Sequence, residues 1–170
     1  KRKNLRILGN KPLIAHTIES ALNSELFERI VVSTDDDEIA QISKQYGADI
    51  PFMRPKELST DNSTFDETLL HCVKELCLQG EQFDIISARD CTVPFIDGDD
   101  MKGAIELLIK SKSDSVFSVC HAHPNPYFGM FESNSKGFLE PSKISPKPIK
   151  SRQEAPIVYE LNGLYVHSVE

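Results

Sequence analysis

The segment ERIVVSTDDDEIAQISKQYGADIPFM, residues 28–53, decides the fold class because two different periodicities follow each other in it. The β-branched run at 28–34 is typical of a short strand buried on both faces. Apolar residues then recur at helical spacing over 36–46, and DIPFM at 49–53 indicates a second short strand. The segment therefore predicts a strand–helix–strand unit of an α/β domain.

The same alternation continues on both sides of this unit. Helices are predicted over 12–23, over 64–78 and after Asp97, and strands over 83–88, 115–119 and 159–169. Strands and helices at this spacing predict a three-layer, Rossmann-like α/β fold with a mostly parallel sheet. Most of the prolines lie within 121–156, which predicts a hairpin and loop insertion in one domain spanning 1–170.

Composition excludes several classes of function. The 170 residues are enough for one domain with a sizeable core, and the net charge of −7 argues against a general nucleic-acid-binding protein. No apolar stretch is long enough to cross a bilayer. The four cysteines form no CxxC pair, which predicts reduced, mostly buried thiols in a cytoplasmic protein. The cations concentrate at 1–6 and 143–152. This distribution suits local anion recognition, and a solvated surface is the alternative.

The opening KRKNLRILGNKPLI, residues 1–14, has the chemistry of a polyphosphate-binding element. A cationic stretch (Lys1, Arg2, Lys3) and Asn4 precede a Gly9–Pro12 break into a helix. Phosphate loops normally lie between a strand and a helix, so that backbone amides and the helix N-terminus converge on the anion. Only the second half of that arrangement is recognisable, so we expect the first strand and its loop to be missing and polyphosphate binding by residues 1–170 alone to be poor.

Four stretches together carry a family resemblance. They are KNLRILGNKPLIAHTIESAL (3–22), FERIVVSTDDDEIAQISKQYGADIPFMRPKELSTD (27–61), the block around Thr92-Val93-Pro94, and SRQEAPIVYELNGLYV (151–166). In this order the chain resembles the acylneuraminate cytidylyltransferases, which activate sialic-acid-like sugars as CMP conjugates. The motifs are independent of one another and cover nearly the whole chain, so the resemblance is specific.

The resemblance implies a set of nucleotide-binding residues. Lys3 and Asn4 match the family's Lys-Asn pair, which implies contact with the CTP triphosphate and stabilisation of the leaving pyrophosphate by Lys3. Arg54 matches a family arginine and is expected to act on phosphate or on the cytosine carbonyl, the alternative being an ion pair with Glu57. Thr64 lies in a turn where the family contacts nucleotide, but a helix cap explains it equally well.

The carboxylates offer two candidate metal sites. Asp90 stands where sialic-acid enzymes have the glutamine of a Gln-Pro-Thr-Ser-Pro-Leu-Arg-type block, whose arginine becomes Ile96. The block is closer to the Asp-Ala-Ala-Arg-Pro-Phe block of methylerythritol-phosphate cytidylyltransferases, which implies that Asp90, at the end of a central strand, binds Mg²⁺. A buried structural carboxylate is the alternative. For the Asp35–Asp37 run, helix capping is preferred over a metal site.

Acceptor binding is implied further along the chain. Arg152 and Gln153 match the family's Arg-Gln pair, and Asn162-Gly163 its Asn-Gly motif. Arg152 is expected to bind a sugar carboxylate bidentately, while Gln153 and Asn162 contact hydroxyls. Asn-Gly is also the strongest short signal for a hairpin turn, and both interpretations can hold together.

The resemblance thus implies transfer of CMP from CTP to a nonulosonic acid with release of pyrophosphate, Mg²⁺ as cofactor, and a cytoplasmic homodimer formed through 121–156. No nucleic-acid or membrane partner is expected, and no general base can be named. The alternatives are a cytidylyltransferase of the 3-deoxy-octulosonate or methylerythritol-phosphate type, or a non-catalytic nucleotide-binding domain. The last is considered because the family's Asp-x-Asp metal motif is expected beyond residue 170, outside this sequence.

Overall fold

The computed structural model describes residues 2–169, which form two compact units. One unit runs to Ser118 and resumes at Gly163, and the other is Val119–Asn162. Lys1, part of the predicted cationic stretch, lies outside the described residues. Among those described, no helix combines the length and the apolar character needed to cross a membrane.

The helices lie where the apolar periodicity predicts them. They are α1 (Leu13–Asn23), α2 (Asp37–Gln45), α3 (Phe65–Leu78) and α4 (Gly98–Ser111). Asp36, Thr64 and Asp97 are the N-caps of α2, α3 and α4, and each side chain accepts a hydrogen bond from a backbone N–H of the first turn. The helix starts are thus set by local side-chain chemistry that the sequence displays.

The strands form three small sheets in the described residues. They are β1 (Ile7–Leu8), β2 (Lys11–Pro12), β3 (Ile85–Arg89), β4 (Ser115–His121), β5 (Phe131–Ser133), β6 (Leu139–Pro141) and β7 (Tyr159–Ser168). The sheet orders are β1-β2, β3-β7-β4 and β5-β6. The β1-β2 hairpin, which turns at Gly9, was not anticipated from the sequence.

Strand β7 re-enters the sheet as predicted, but it runs antiparallel to its neighbour β3. Ile85 lies opposite Ser168, and Arg89 lies opposite Leu164. A parallel neighbour needs a crossover connection, usually a helix, whereas the connection from β4 to β7 contains no α-helix. The antiparallel direction of β7 is therefore compatible with the α/β class and departs from the mostly parallel expectation at this position.

The two strands predicted at 28–34 and 49–53 are reduced to one parallel bridge, between Val31 and Asp49. The Val32 N–H donates to the Asp49 carbonyl at 3.0 Å, and the Asp49 N–H donates to the Ile30 carbonyl at 2.8 Å. Pro51 carries no N–H with which to extend the ladder. The predicted strand–helix–strand connection, with α2 between the two paired segments, is nevertheless present.

Two hydrophobic clusters form the core of the first unit. One consists of Ile96, Met101, Leu108, Leu164 and Val166, and the other of Ile14, Ile18 and Ala48. Alternation along β7 directs Leu164 and Val166 into the first cluster. Tyr165, between them in sequence, instead contacts Phe65 at the start of α3, with ring centroids 4.7 Å apart.

The second unit contains the β5-β6 hairpin, in which Phe131 lies opposite Pro141. Two hydrogen bonds, both 2.9 Å long, join the segment that enters this unit to the segment that leaves it. They run from the Ala122 N–H to the Val158 carbonyl and from the Asn125 side chain to the Pro156 carbonyl. Many of its apolar side chains are more than half exposed: Phe131, Phe138, Leu139, Ile144, Ile157, Tyr159 and Leu161. A role in dimerisation or acceptor binding stays a prediction.

The cysteines correct one expectation. All four are free thiols, as predicted, but Cys77 and Cys120 are exposed, and only Cys72 and Cys91 are half-buried. Burial raises the pKa of the Cys72 and Cys91 thiols, so both remain protonated at neutral pH. The expectation of mostly buried thiols is therefore wrong for half of them.

Replacing Lys112 with glycine should stabilise the protein. Lys112 ends α4 in the left-handed conformation, with φ 52° and ψ 39°, which costs a residue with a side chain about 1 kcal/mol more than glycine. We expect Lys112→Gly to raise the free energy of unfolding by about 0.5–1 kcal/mol, measured by urea denaturation. Lys110→Gly, inside the helix, should lower it by about 1 kcal/mol. Equal effects of the two glycines would contradict the conformational explanation.

Candidate functional site

The turn before α2 contacts two basic segments of the first unit. Arg2 Nε lies 3.0 Å from Asp36 Oδ2. The Arg54 N–H donates to the Thr34 carbonyl at 2.8 Å, and Arg54 Nη2 lies 3.9 Å from Asp35 Oδ1. Residues 34–36 therefore join the N-terminal segment to the segment that carries Arg54.

Arg54 has the features of a binding residue with unused donor capacity. Its side chain is 22% exposed, and its Nε is buried without a hydrogen-bond partner among residues 2–169. The ion pair suggested with Glu57 is not formed there, and the structure pairs the guanidinium with Asp35 at 3.9 Å instead. At that distance the pair is loose, so most of the guanidinium donors are available to an anion or a carbonyl.

Lys3 and Asn4 lie in a 3-10 turn, Lys3–Leu5. Lys3 is exposed, whereas Asn4 Oδ1 is buried and lacks a hydrogen-bond partner within the described part of the chain. Leu5 packs against the cluster of Ile14, Ile18 and Ala48, and so does Cys91, which follows Asp90. The predicted Lys-Asn pair and the Asp90 segment are thus anchored on the same hydrophobic cluster.

Asp90 begins a short loop, residues 90–96, directly after β3. Its N–H donates to the Gly163 carbonyl at 2.9 Å, and its Oδ1 accepts the Thr92 N–H at 2.9 Å. Asp90 is exposed, so the alternative of a buried structural carboxylate is wrong. Within the described three-stranded sheet, β3 is an outer strand and not a central one.

The residues around Asp90 fit Mg²⁺ only at a site shared with substrate phosphates and water. Its Oδ2 accepts no hydrogen bond from residues 2–169, and those residues contain no group of three or more His, Cys, Asp or Glu able to hold a metal. Mg²⁺ is commonly bound by one or two carboxylates, with the remaining ligands supplied by substrate phosphates and water. One available carboxylate oxygen on Asp90 is compatible with such a shared site.

Asn162 and Gly163 do not form a hairpin turn. Both lie inside β7, and Gly163 adopts φ +74°. A Cβ added at Gly163 would lie 2.7 Å from Val93 Cγ2, closer than atoms can pack. The hairpin interpretation is therefore wrong, because the glycine is needed where loop 90–96 approaches the strand.

Thr64 and Asp36 act as helix caps, and Asp37 lies in the first turn of α2. Thr64 and Glu67 form a reciprocal capping box, in which Glu67 Oε2 accepts the Thr64 N–H at 2.9 Å. Asp36 Oδ1 accepts the N–H groups of Glu38 and Ile39 at 2.9 and 3.2 Å. These contacts explain the conformation of both turns. Contact of Thr64 with nucleotide stays a prediction.

Removing the Asp36 charge should lower the thermal stability of the protein by an amount that depends on pH. The Ile39 N–H, then the Glu38 N–H and Arg2, lower the pKa of the Asp36 carboxyl. Because the folded pKa is the lower one, the stabilisation is complete above the unfolded value of about 3.9 and is lost as the pH falls through the folded value. We expect Asp36→Asn to lower the Tm at neutral pH, and the difference from the parent to shrink as the pH falls through the folded pKa of Asp36.

The control for this experiment is Asp61→Asn, which removes an exposed carboxylate that accepts no backbone hydrogen bond from the described residues. Melting followed by circular dichroism across the same pH range compares the three proteins. A Tm difference between Asp36→Asn and the parent that persists unchanged at the lowest pH would contradict the assignment of the effect to the Asp36 charge.

The predicted acceptor residues belong to the second unit. Arg152 and Gln153 lie in a 3-10 turn, Arg152–Glu154, and both are exposed. Glu154 Oε2 accepts the Lys150 N–H at 3.0 Å and so closes this turn. Asn162 is half-buried on β7. Recognition of an acceptor by these side chains stays a prediction.

Arg89, the last residue of β3, was not anticipated from the sequence. Its Nη2 donates to the Ile96 carbonyl at 3.0 Å, and its Nη1 donates to Ser20 Oγ at 3.1 Å. Burial lowers the pKa of the guanidinium, against the opposing effects of Cys91, Asp100 and Asp97. The one available signal is an arginine at the end of a mostly apolar strand.

Comparison with known proteins decides the family. A family model described as "Cytidylyltransferase" matches residues 1–135, most of the chain. CMP-N,N'-diacetyllegionaminic acid synthase of Legionella pneumophila is 34% identical over 165 residues, covering 95% of this chain and 68% of that protein. The chain belongs to the acylneuraminate cytidylyltransferase family. The resemblance in its motifs is thereby confirmed.

Other relatives within the cytidylyltransferases show the extent of the similarity. Pseudaminic acid cytidylyltransferase of Campylobacter jejuni is 36% identical over 117 residues, which are 69% of this chain and 50% of that protein. The chain thus spans about half to two thirds of the length of these two relatives.

A solved structure confirms the fold class. The structure of CMP:2-keto-3-deoxy-manno-octonic acid synthetase complexed with CTP superposes with a TM-score of 0.66 at 18% identity, covering 98% of this chain and 67% of that one. At this identity the likeness concerns the fold alone. It establishes the Rossmann-like α/β architecture that the alternating strands and helices predict.

Proposed function

We propose that the protein containing this chain transfers CMP from CTP to a nonulosonic, sialic-acid-like sugar with release of pyrophosphate. The observation that carries this proposal is the 34% identity, over 95% of the chain, to a protein named CMP-N,N'-diacetyllegionaminic acid synthase. The arrangement of the first unit supports it, because the Lys3–Asn4 turn and the Asp90 segment share one hydrophobic cluster.

In this proposal the first unit binds CTP. Arg54 donates to a phosphate or to the cytosine carbonyl, through donors that the loose contact with Asp35 leaves available. Asn4 offers its buried Oδ1 as an acceptor, for instance to the cytosine amino group. Lys3, exposed on the same turn, neutralises the negative charge that grows on pyrophosphate as it leaves.

We propose Mg²⁺ as the cofactor, held by Asp90 together with oxygens of the triphosphate. When bound, it neutralises phosphate charge and favours in-line displacement. The contribution of the chain itself is the orientation of the carboxylate. The Thr92 N–H fixes Asp90 Oδ1, and the Gly163 carbonyl fixes the Asp90 backbone.

The second unit would supply acceptor recognition. Arg152 is suited to a bidentate contact with the sugar carboxylate, and Gln153 and Asn162 to contacts with hydroxyls. The anomeric oxygen of the acceptor forms a bond to the α-phosphorus, the bond from that phosphorus to the bridging oxygen breaks, and pyrophosphate departs. The proton of the anomeric hydroxyl passes to solvent.

We further propose that the protein works as a cytoplasmic homodimer. Apolar side chains on the β5-β6 hairpin and its flanks, Phe138 and Leu139 among them, are more than half exposed, as an interface would require. Free thiols at all four cysteines suit a reducing compartment. Analytical ultracentrifugation of the full-length protein tests the dimer. A monomer at micromolar concentration would rule it out, and Leu139→Glu should dissociate a dimer.

The test of the activity is release of pyrophosphate from CTP by the full-length protein. The acceptors to be offered are N-acetylneuraminic, legionaminic, pseudaminic and 3-deoxy-octulosonic acids, and methylerythritol phosphate. We expect release with at least one of the first three, dependent on Mg²⁺. ATP, GTP and UTP serve as nucleotide controls.

The other outcomes separate the rival functions. Release only with 3-deoxy-octulosonic acid or methylerythritol phosphate would replace the proposed acceptor class, which the departure from the family pattern at Asp90 makes a specific alternative. CTP binding without release from any acceptor would favour a non-catalytic nucleotide-binding role. Absence of CTP binding would overturn both.

A further inference from the structure

Arg89 is a partly buried cation whose hydrogen-bond partners are neutral. It lies opposite the buried Leu164 in the β3–β7 register, and its Nη1 is 3.8 Å from the Met101 sulfur. It forms no ion pair with a carboxylate among the described residues, and its Nε is buried without a partner there. Burying a charge in such surroundings costs free energy that a leucine or methionine would not cost.

What the guanidinium does at this position is specific. It donates to the Ile96 carbonyl and to the Ser20 hydroxyl, and Ser20 Oγ itself donates to the same carbonyl at 2.8 Å. The three groups form a closed triangle between β3, α1 and the end of loop 90–96. Two donors therefore converge on one backbone oxygen and determine its direction.

The opposite end of the loop is fixed as well. Asp90 is held by the Gly163 carbonyl and by its own contact with the Thr92 N–H, and Val93 packs directly on Gly163. Between these fixed ends Phe95 is 85% exposed. The conformation of Asp90 thus depends on a seven-residue loop whose far end is held by Arg89.

We infer that Arg89 is a positioning residue, which together with Ser20 holds the Ile96 carbonyl and through loop 90–96 sets the orientation of the Asp90 carboxylate. The effect on catalysis rests on the proposed function, in which Asp90 binds the cation. The effect on the loop does not, since it follows from the hydrogen bonds alone. Ile96 is buried, so its side chain anchors the same end without directing the carbonyl.

The experiment compares Arg89→Met, Arg89→Lys and Ser20→Ala in the full-length protein. Methionine fills similar apolar volume without a donor, and lysine can still donate to one acceptor. Leu108→Ala, in the same core cluster near the far end of α4, is the control for a loss of global stability. The readouts are amide hydrogen exchange at Thr92 and Val93, the Mg²⁺ concentration giving half-maximal pyrophosphate release, and the Tm.

We expect Arg89→Met to speed exchange at Thr92 and Val93 and to raise the half-maximal Mg²⁺ concentration about tenfold, with exchange in β4 unchanged. Arg89→Lys and Ser20→Ala should lie between Arg89→Met and the parent. Unchanged exchange in the loop, or exchange that rises equally throughout the protein as in Leu108→Ala, would overturn the inference. A parent protein that releases no pyrophosphate would contradict the proposed function, whereas the exchange measurement would still decide the role of Arg89.

Discussion

Replacing Arg54 with alanine is expected to lower kcat/KM for CTP by roughly 10²–10³-fold, with little loss of stability. The guanidinium is mostly buried, yet its ion pair with Asp35 spans 3.9 Å, and its Nε has no partner among residues 2–169. Charge-assisted hydrogen bonds from a shielded guanidinium to a substrate are strong. Their loss should therefore weaken CTP binding more than it lowers the free energy of unfolding. Pyrophosphate release over a range of CTP concentrations measures the effect.

Two further variants identify the origin of this loss. Arg54→Lys keeps the charge but not the planar fork, and an intermediate rate would show that bidentate geometry matters. Asp35→Asn removes the paired carboxylate and is expected to leave kcat/KM within about threefold of the parent, because a loose, partly exposed pair contributes little. If Arg54→Ala kept full activity, or lost activity only in proportion to unfolding, Arg54 would not bind CTP.

Replacing Gly163 with alanine is expected to destabilise the protein by about 2–4 kcal/mol, the sum of a positive-φ penalty and overpacking. The added Cβ would lie 2.7 Å from Val93 Cγ2 and 2.9 Å from Val93 Cβ, in the middle of β7 where the backbone cannot easily move. Loop 90–96 must therefore shift. We expect the Tm to fall, and the Mg²⁺ requirement of the reaction to rise with the displacement of Asp90.

Gly137 provides the matched control, because its φ is +80° but nothing lies within 4 Å of the position of its Cβ. Gly137→Ala should cost only the conformational part, about 1 kcal/mol. Combining Gly163→Ala with Val93→Gly removes the steric conflict, and a double-mutant cycle should show a favourable coupling of about 1 kcal/mol or more. Equal losses of stability in the two alanine variants, without coupling, would contradict the close approach as the cause.

The helices could be predicted because both their periodicity and their caps are local. Asp36, Thr64 and Asp97 each stand immediately before an apolar repeat, and each caps the helix that follows. Strand pairing is not local in this sense. The run at 28–34 predicts a short strand over its whole length, but it pairs only where its partner near Pro51 still offers an N–H. The antiparallel direction of β7 depends on a connection whose path the sequence does not display.

The candidate site could be predicted only in part, for a similar reason. Lys3, Arg54 and Asp90 are recognisable by motif, and their local turns explain their positions. The roles of Gly163 and Arg89 could not be predicted, because they depend on contacts with Val93 and Ile96 that form only when β3 and β7 pair. The dipeptide Asn-Gly occurs both in hairpin turns and where another segment packs closely on a strand, so the sequence alone does not distinguish the two. Arg89 binds a backbone carbonyl and the hydroxyl of Ser20, which is distant in sequence, and neither contact forms a recognisable motif.

The single bridge between Val31 and Asp49 has a consequence for ligand affinity. Five residue pairs join β3 to β7, whereas one bridge and the hydrogen bond from the Arg54 N–H to the Thr34 carbonyl join the segments that lead into Asp36 and Arg54. We therefore expect these two segments to open transiently more often than β3 and β7. If a nucleotide binds only the closed form, its apparent Kd equals the intrinsic Kd divided by the fraction of the protein that is closed. A preceding ligand that holds these two segments together would then tighten nucleotide binding without adding a contact to the nucleotide.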